Sequence, residues 1–184
     1  MRFDTRKKAI ETEFSHVSHV TLDGKDGNEW EKRVARVCEE LAAKGTILSY
    51  VKNDQLGFSI PYVHLARTHE YWPDFLLRLP KGEDGIERTL IVEVSGSHKS
   101  PGPTKEKART ARDSWCVAVN NHGGFGRWGY IEMRKYEVDN ADTVIPTAVR
   151  DLIAGTPIIG DPDLLDDNVL AERQPANQEE QHGA

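Results

Sequence analysis

The chain has 184 residues, 38% of them hydrophobic, enough for one core with appendages. It contains no apolar run of membrane-spanning length, and no apolar h-region follows the basic start "MRFDTRKKAIETEF", so neither a membrane protein nor a secretory signal is expected. The net charge of −6 does not exclude nucleic acid: residues 151–184 hold eight acidic residues and one basic, a net of −7, which leaves the first 150 residues at about +1.

In chain order, residues 1–15 read as a polar arm and "HVSHVTL" as a short strand. "DGKDGN" is a turn cluster. "NEWEKRVARVCEELAAKG" is predicted helical, with Trp30, Val34, Val37, Cys38 and Leu41 on one face, Asn28 at the N-cap and Gly45 as the stop. "TILSYVKND" and "LGFSIPYVHL" follow as extended pieces. "EYWPDFLLRL" and "RTLIVEVSG" flank the turn "PKGEDGIE" and give a hairpin signal. Thr104 to about Trp115 reads as a helix, "WCVAVNN" as a buried strand, "GYIEMRKYEV" as a last strand and "TVIPTAVRDLIAG" as a short helix interrupted by Pro146. The expected architecture is α/β, a central mixed sheet flanked by helices in α-β-β-β-α-β order. The domain is expected over residues 16–154, and residues 155–184 read as an acidic, disordered tail. Cys38 and Cys116, far apart in apolar patterns, read as buried free thiols of a reducing compartment, so a cytoplasmic location is expected.

Asp74 stands immediately before an apolar strand, where a charge is out of place. Hairpin symmetry gives it a partner. The midpoint between Asp74 and Glu93 falls inside "KGEDG", so the two belong near each other at the open end of the hairpin. Alternation puts Asp74 with Leu76 on one face, and Glu93 with Ser95. Two close, partly buried carboxylates need a proton or a cation. Their hard oxygens suit Mg²⁺ or Mn²⁺. The competing reading has both as strand-end residues, solvated or paired with Arg78 or Arg67.

"SYVKNDQLGFSIPY", "EYWPDFLLRL", "LIVEVSG" and "VAVNNHGGFGRWGYIEM" occur in order over residues 16–138. Together they resemble the PD-(D/E)xK nuclease superfamily, and within it the C-terminal endonuclease domain of type III restriction enzyme Res subunits. The resemblance implies a restriction-endonuclease-like core and Mg²⁺-dependent hydrolysis of DNA phosphodiester bonds, with Asp74 and Glu93 as metal ligands. Where the superfamily carries Lys, this chain has Ser95. The resemblance allows a displaced lysine, for which Lys107 is the first candidate and Lys99 and Lys105 the others. It also implies an acidic residue from the first helix, Glu31, although Asn28-x-x-Glu31 equally fits a capping box. The alternative is a catalytically degenerate DNA-binding or complex-forming module on the same fold.

The segment 98–115 carries five Lys or Arg against two acids, a basic patch suited to phosphates or simply a solvated face. Lys52, Lys99, Lys105, Arg109, Asn120, His122 and Arg127 are the candidate DNA contacts. For Lys52 plain exposure is the competing reading. For Asn120, His122 and Arg127 it is a tight loop with Trp128 in the core. "NNHGGFGRWG" lacks the Walker A pattern. The family it resembles carries a helicase motor that does not fit in this chain, so specificity and translocation either need a translocase or modification subunit in trans or are absent. Cutting both strands calls for two sites, which a homodimer supplies.

Overall fold

The computed structural model describes residues 8–22, 29–54, 56–95 and 101–158. Strands β1 (Lys8–Glu11) and β2 (His19–Leu22) form an antiparallel pair ahead of helix α1 (Glu29–Ala43). The expected polar arm thus contains a strand, anchored where Ile10 and Phe14 pack on the core. The amphipathic face of α1 is buried through Val34, Val37, Cys38 and Leu41, as its period implies. Gly45, at φ +73°, ends the helix: its N–H donates to Ala42 O and that of Thr46 to Leu41 O, the paired bonds of a Schellman motif.

Next come β3 (Ser49–Lys52), β4 (Ile60–His64), β5 (Arg67–Tyr71), β6 (Phe75–Leu79) and β7 (Arg88–Val94). Helix α2 (Pro101–Arg109), a π-helical stretch Thr110–Cys116 and α3 (Val117–His122) run on without a break to β8 (Arg127–Met133). The chain closes with α4 (Lys135–Asp139) and α5 (Ala141–Ala154). The central sheet has the order β3-β6-β7-β8, antiparallel except for the parallel β7–β8 pair. Helices flank it, and its elements follow the expected α-β-β-β-α-β order, with the β4–β5 hairpin inserted after the first sheet strand.

Three expectations about elements fail. "WCVAVNN" is helical, because Cys116 and Ala111 face the sheet from a helix while Val117 stays exposed. The parallel partner of β7 is therefore β8. The last strand stops at Met133, and α4 begins where Glu137 accepts the Arg134 N–H at 3.0 Å. Helix α5 runs through Pro146, forgoing one backbone bond, because Ile145, Ala148 and Val149 bury one face of it.

Two apolar layers sandwich the sheet. Phe75, Leu77, Leu90 and Val92 face α1 and α5. Ile91 and Tyr130 face the β4–β5 hairpin and the helix of residues 101–122. Both cysteines are free and buried, and burial pushes the Cys116 thiol up to about 12.

Candidate active site

The β6–β7 register is Phe75↔Val92 through Leu79↔Arg88. One step beyond it stand Asp74 and Glu93, the pair that hairpin symmetry selected. Asp74 is held from two sides. Its carboxylate Oδ2 accepts the Val94 N–H at 2.7 Å, and its carbonyl accepts the Asn53 N–H at 2.8 Å. The buried Asn53 side chain donates to Pro73 O at 3.0 Å and to Phe58 O at 2.7 Å, fixing the Pro-Asp turn. Asp74 therefore has a structural task as well, capping the end of β7. Arg78 points elsewhere, to Glu87 at 3.1 Å.

Glu93 is only 6% exposed and lies on the face of β7 that also carries Ile91. Tyr71 hydrogen-bonds to it and sits with its hydroxyl 3.4 Å from that of Tyr130. Burial first, then Tyr130 and Glu93, hold the Tyr71 hydroxyl well above the usual phenol range, so it stays a proton donor to the carboxylate.

One acidic residue escaped the sequence reading. The parallel register pairs Glu93 with Glu132, so Asp74, Glu93 and Glu132 form a row across three strands, spanning about 10 Å of sheet. Glu132 is 1% exposed; its Oε1 is buried without a hydrogen-bond partner among the described residues. Its Oε2 accepts from Arg134 Nη2 at 2.9 Å. The signal was present in the sequence: an acid between Ile131 and Met133 is as anomalous as Asp74 before Phe75. Ser95 is buried beside the row; its N–H continues the ladder to Met133 O at 3.0 Å, and its Oγ has no hydrogen-bond partner among the described residues.

Glu31 and Lys52 belong together on the α1 side of the sheet. Lys52 Nζ donates to Glu31 Oε2 at 2.8 Å and lies 5.6 Å from the Phe75 ring centroid. With 5% and 15% of their side chains exposed, they form a buried ion pair, so the reading of Lys52 as simply exposed does not hold. Lys107 is half-buried, with its ammonium 5.6 Å from the Tyr71 ring centroid and 5.7 Å from that of Tyr62. The helix that carries it packs on β4, and Tyr71, against whose ring Lys107 lies, hydrogen-bonds to Glu93. Lys105 and Arg109 are exposed on the same helix, and Lys99 lies outside the described residues.

The loop candidates sit at the other end of the sheet. Arg127 is paired in register with Arg88, five residues before Glu93, roughly 17 Å away along the strand. Asn120 clamps β8 through both Trp128 backbone groups, at 2.7 and 2.9 Å. His122 accepts the Gly124 N–H at 3.2 Å and stacks on Phe125. Trp128 stacks on Phe58 and meets Trp115 edge-on. Asn120 and His122 thus shape the loop, and none of the three approaches the carboxylate row.

Among the described residues no helix is long and apolar enough to cross a membrane, and no three His, Cys, Asp or Glu side chains gather as a metal cage. Asp74 and Glu93 nonetheless supply the hard oxygen donors Mg²⁺ takes, and such an ion is commonly bound through one or two carboxylates, with water and phosphate completing the shell. Comparison with protein-family models, curated proteins and solved structures found no match for the chain.

Proposed function

We propose that the protein is a metal-dependent DNA endonuclease of the PD-(D/E)xK type, with its centre at Asp74 and Glu93. The observation that carries this reading is the placement of the two carboxylates in register at the open end of the β6–β7 hairpin, one half-buried and one buried. The sheet order and the basic helix of residues 101–122, which packs over the Glu93 face, agree with it.

Asp74 and Glu93 would hold Mg²⁺ or Mn²⁺, which when bound lowers the pKa of water and offsets charge on the phosphoryl group. The residues of the chain do the rest. The Asn53 bonds and the Val94 N–H fix the direction of the Asp74 carboxylate. Tyr71 donates to Glu93 and packs with Ile91 and Tyr130 on the Glu93 side of the site. Lys105 and Arg109, exposed on the helix above, offer charge to the DNA backbone. A translocase in trans and a homodimer for double-strand cutting belong to the same proposal.

A second reading, a DNA-binding module that no longer cuts, is favoured by one observation: Asp74 already has a structural partner in the Val94 N–H. Incubating purified protein with supercoiled plasmid in Mg²⁺, Mn²⁺ or EDTA separates the two. Nicking that needs the metal and disappears in Glu93→Gln supports the nuclease. Binding of the plasmid without nicking in either metal supports the module.

A further inference from the structure

The row of acids has a built-in cation. Arg134 follows β8 by one residue with extended backbone, φ −90° and ψ −173°, so strand alternation continues through it and puts it on the Glu132 face. The Val94↔Met133 pairing, extended by one step, sets Arg134 opposite Ser95, two residues beyond Glu93. Its guanidinium is held by a buried carboxylate. Nη2 donates to Glu132 Oε2 at 2.9 Å, and that carboxylate is fully buried. The Arg134 side chain itself is 40% exposed. A charge anchored on a buried acid and presented to solvent at the strand end is pre-organised to meet an anion there. The bond to the fully buried Glu132 fixes the guanidinium plane. A planar guanidinium carries five N–H donors and matches the oxygens of a phosphate two at a time.

We propose that Arg134, positioned by Glu132, contacts the DNA phosphate under attack beside the Asp74–Glu93 pair and stabilises the charge that builds on it. Arg134 then touches the reacting group, and Glu132 is a positioning residue. This rests on the nuclease reading, and the test keeps the two apart.

Single-turnover nicking of supercoiled plasmid is measured for wild type, Asp74→Ala, Arg134→Ala, Arg134→Lys and Glu132→Gln, with plasmid affinity measured in parallel. Arg134→Ala is expected to lose on the order of a hundredfold in cleavage rate, with a much smaller change in affinity. Millimolar guanidinium, far below denaturing levels, is expected to restore part of that rate, which a misfolded variant could not show. Arg134→Lys should retain more activity than Arg134→Ala, and Glu132→Gln should lose rate with less effect on affinity. Arg134→Ala cutting within threefold of wild type while Asp74→Ala is dead would overturn the role of Arg134 and leave the nuclease standing. A dead Arg134→Ala that guanidinium does not rescue also overturns it. Wild type that never nicks removes both proposals.

Discussion

Replacing Lys52 with Met tests whether the Glu31–Lys52 pair is architecture rather than part of a catalytic or DNA-binding surface. At 2.8 Å and an effective dielectric of about 20, the attraction is about 6 kcal/mol. Desolvation of the two ions offsets most of this, so the pair as a whole is nearly neutral for stability. Removing one partner is a different matter, because the remaining charge stays buried, at a cost of about 3 to 5 kcal/mol. Met keeps the unbranched stem that packs near Phe75. Glu31 is 15% exposed and can draw in water, so Lys52→Met is expected at the lower end, about 3 kcal/mol. Glu31→Gln takes a carboxylate from an ammonium only 5% exposed and should also lower stability. The double variant is expected to return to within about 1 kcal/mol of wild type. Urea unfolding of the four proteins gives the cycle, and thermal melts should show Lys52→Met lowered by about 6 to 12 °C. Single variants that each cost less than about 1 kcal/mol, or costs that simply add in the double variant, would refute the buried-pair assignment.

Asp84 is held down at about 2, against 3.8 ordinarily, by hydrogen bonds from Arg88 and the Ile86 N–H and by the charges of Arg88 and Arg127. A lowered folded-state pKa makes its stabilising contribution complete above about pH 3.8 and lost as the pH falls through 2. Urea midpoints between pH 5 and 2 should therefore fall less steeply in Asp84→Asn. At the tip of the β4–β5 hairpin, Leu65 and Ala66 hold φ of +49° and +59°, which costs roughly 1–2 kcal/mol each for side chains with a Cβ. Replacing the pair by Asn-Gly suits the turn and should raise the melting temperature; a fall would mean that the exposed Leu65 makes contacts absent from this reading. Gly126 sits at φ +75° with the position of a Cβ 2.4 Å from Glu87 O, so Gly126→Ala should break the Arg127–Glu87 junction and sharply lower stability in the same melts.

Local periodicity carried much of the fold. The α1 face, the Gly45 stop and the β6–β7 register all follow from spacing within about twenty residues, and hairpin symmetry alone paired Asp74 with Glu93. "WCVAVNN" misled because a short apolar run fits a strand and a helix equally well. Its true state depends on Ala108, Ala111 and Cys116 meeting the sheet as one helical surface. Glu132 and Arg134 stayed hidden for a related reason. Their place beside Glu93 and Ser95 depends on a parallel pairing across a long helical crossover, and no sequence interval encodes that register. The burial of Lys52, read as a DNA contact or an exposed lysine, was not legible because its partner, Glu31, comes from a different element.

Asp74→Asn tests the centre of this reading most directly. The amide keeps an oxygen for the Val94 N–H, so the cap and the fold are retained, whereas the charge that would hold a divalent cation is gone. The decisive quantity is the Mg²⁺-dependent nicking rate of folded Asp74→Asn relative to wild type. A melting temperature near that of wild type with cutting reduced at least a hundredfold is the expected result. Undiminished cutting by this variant would show that Asp74 only caps β7 and that the chemistry lies elsewhere.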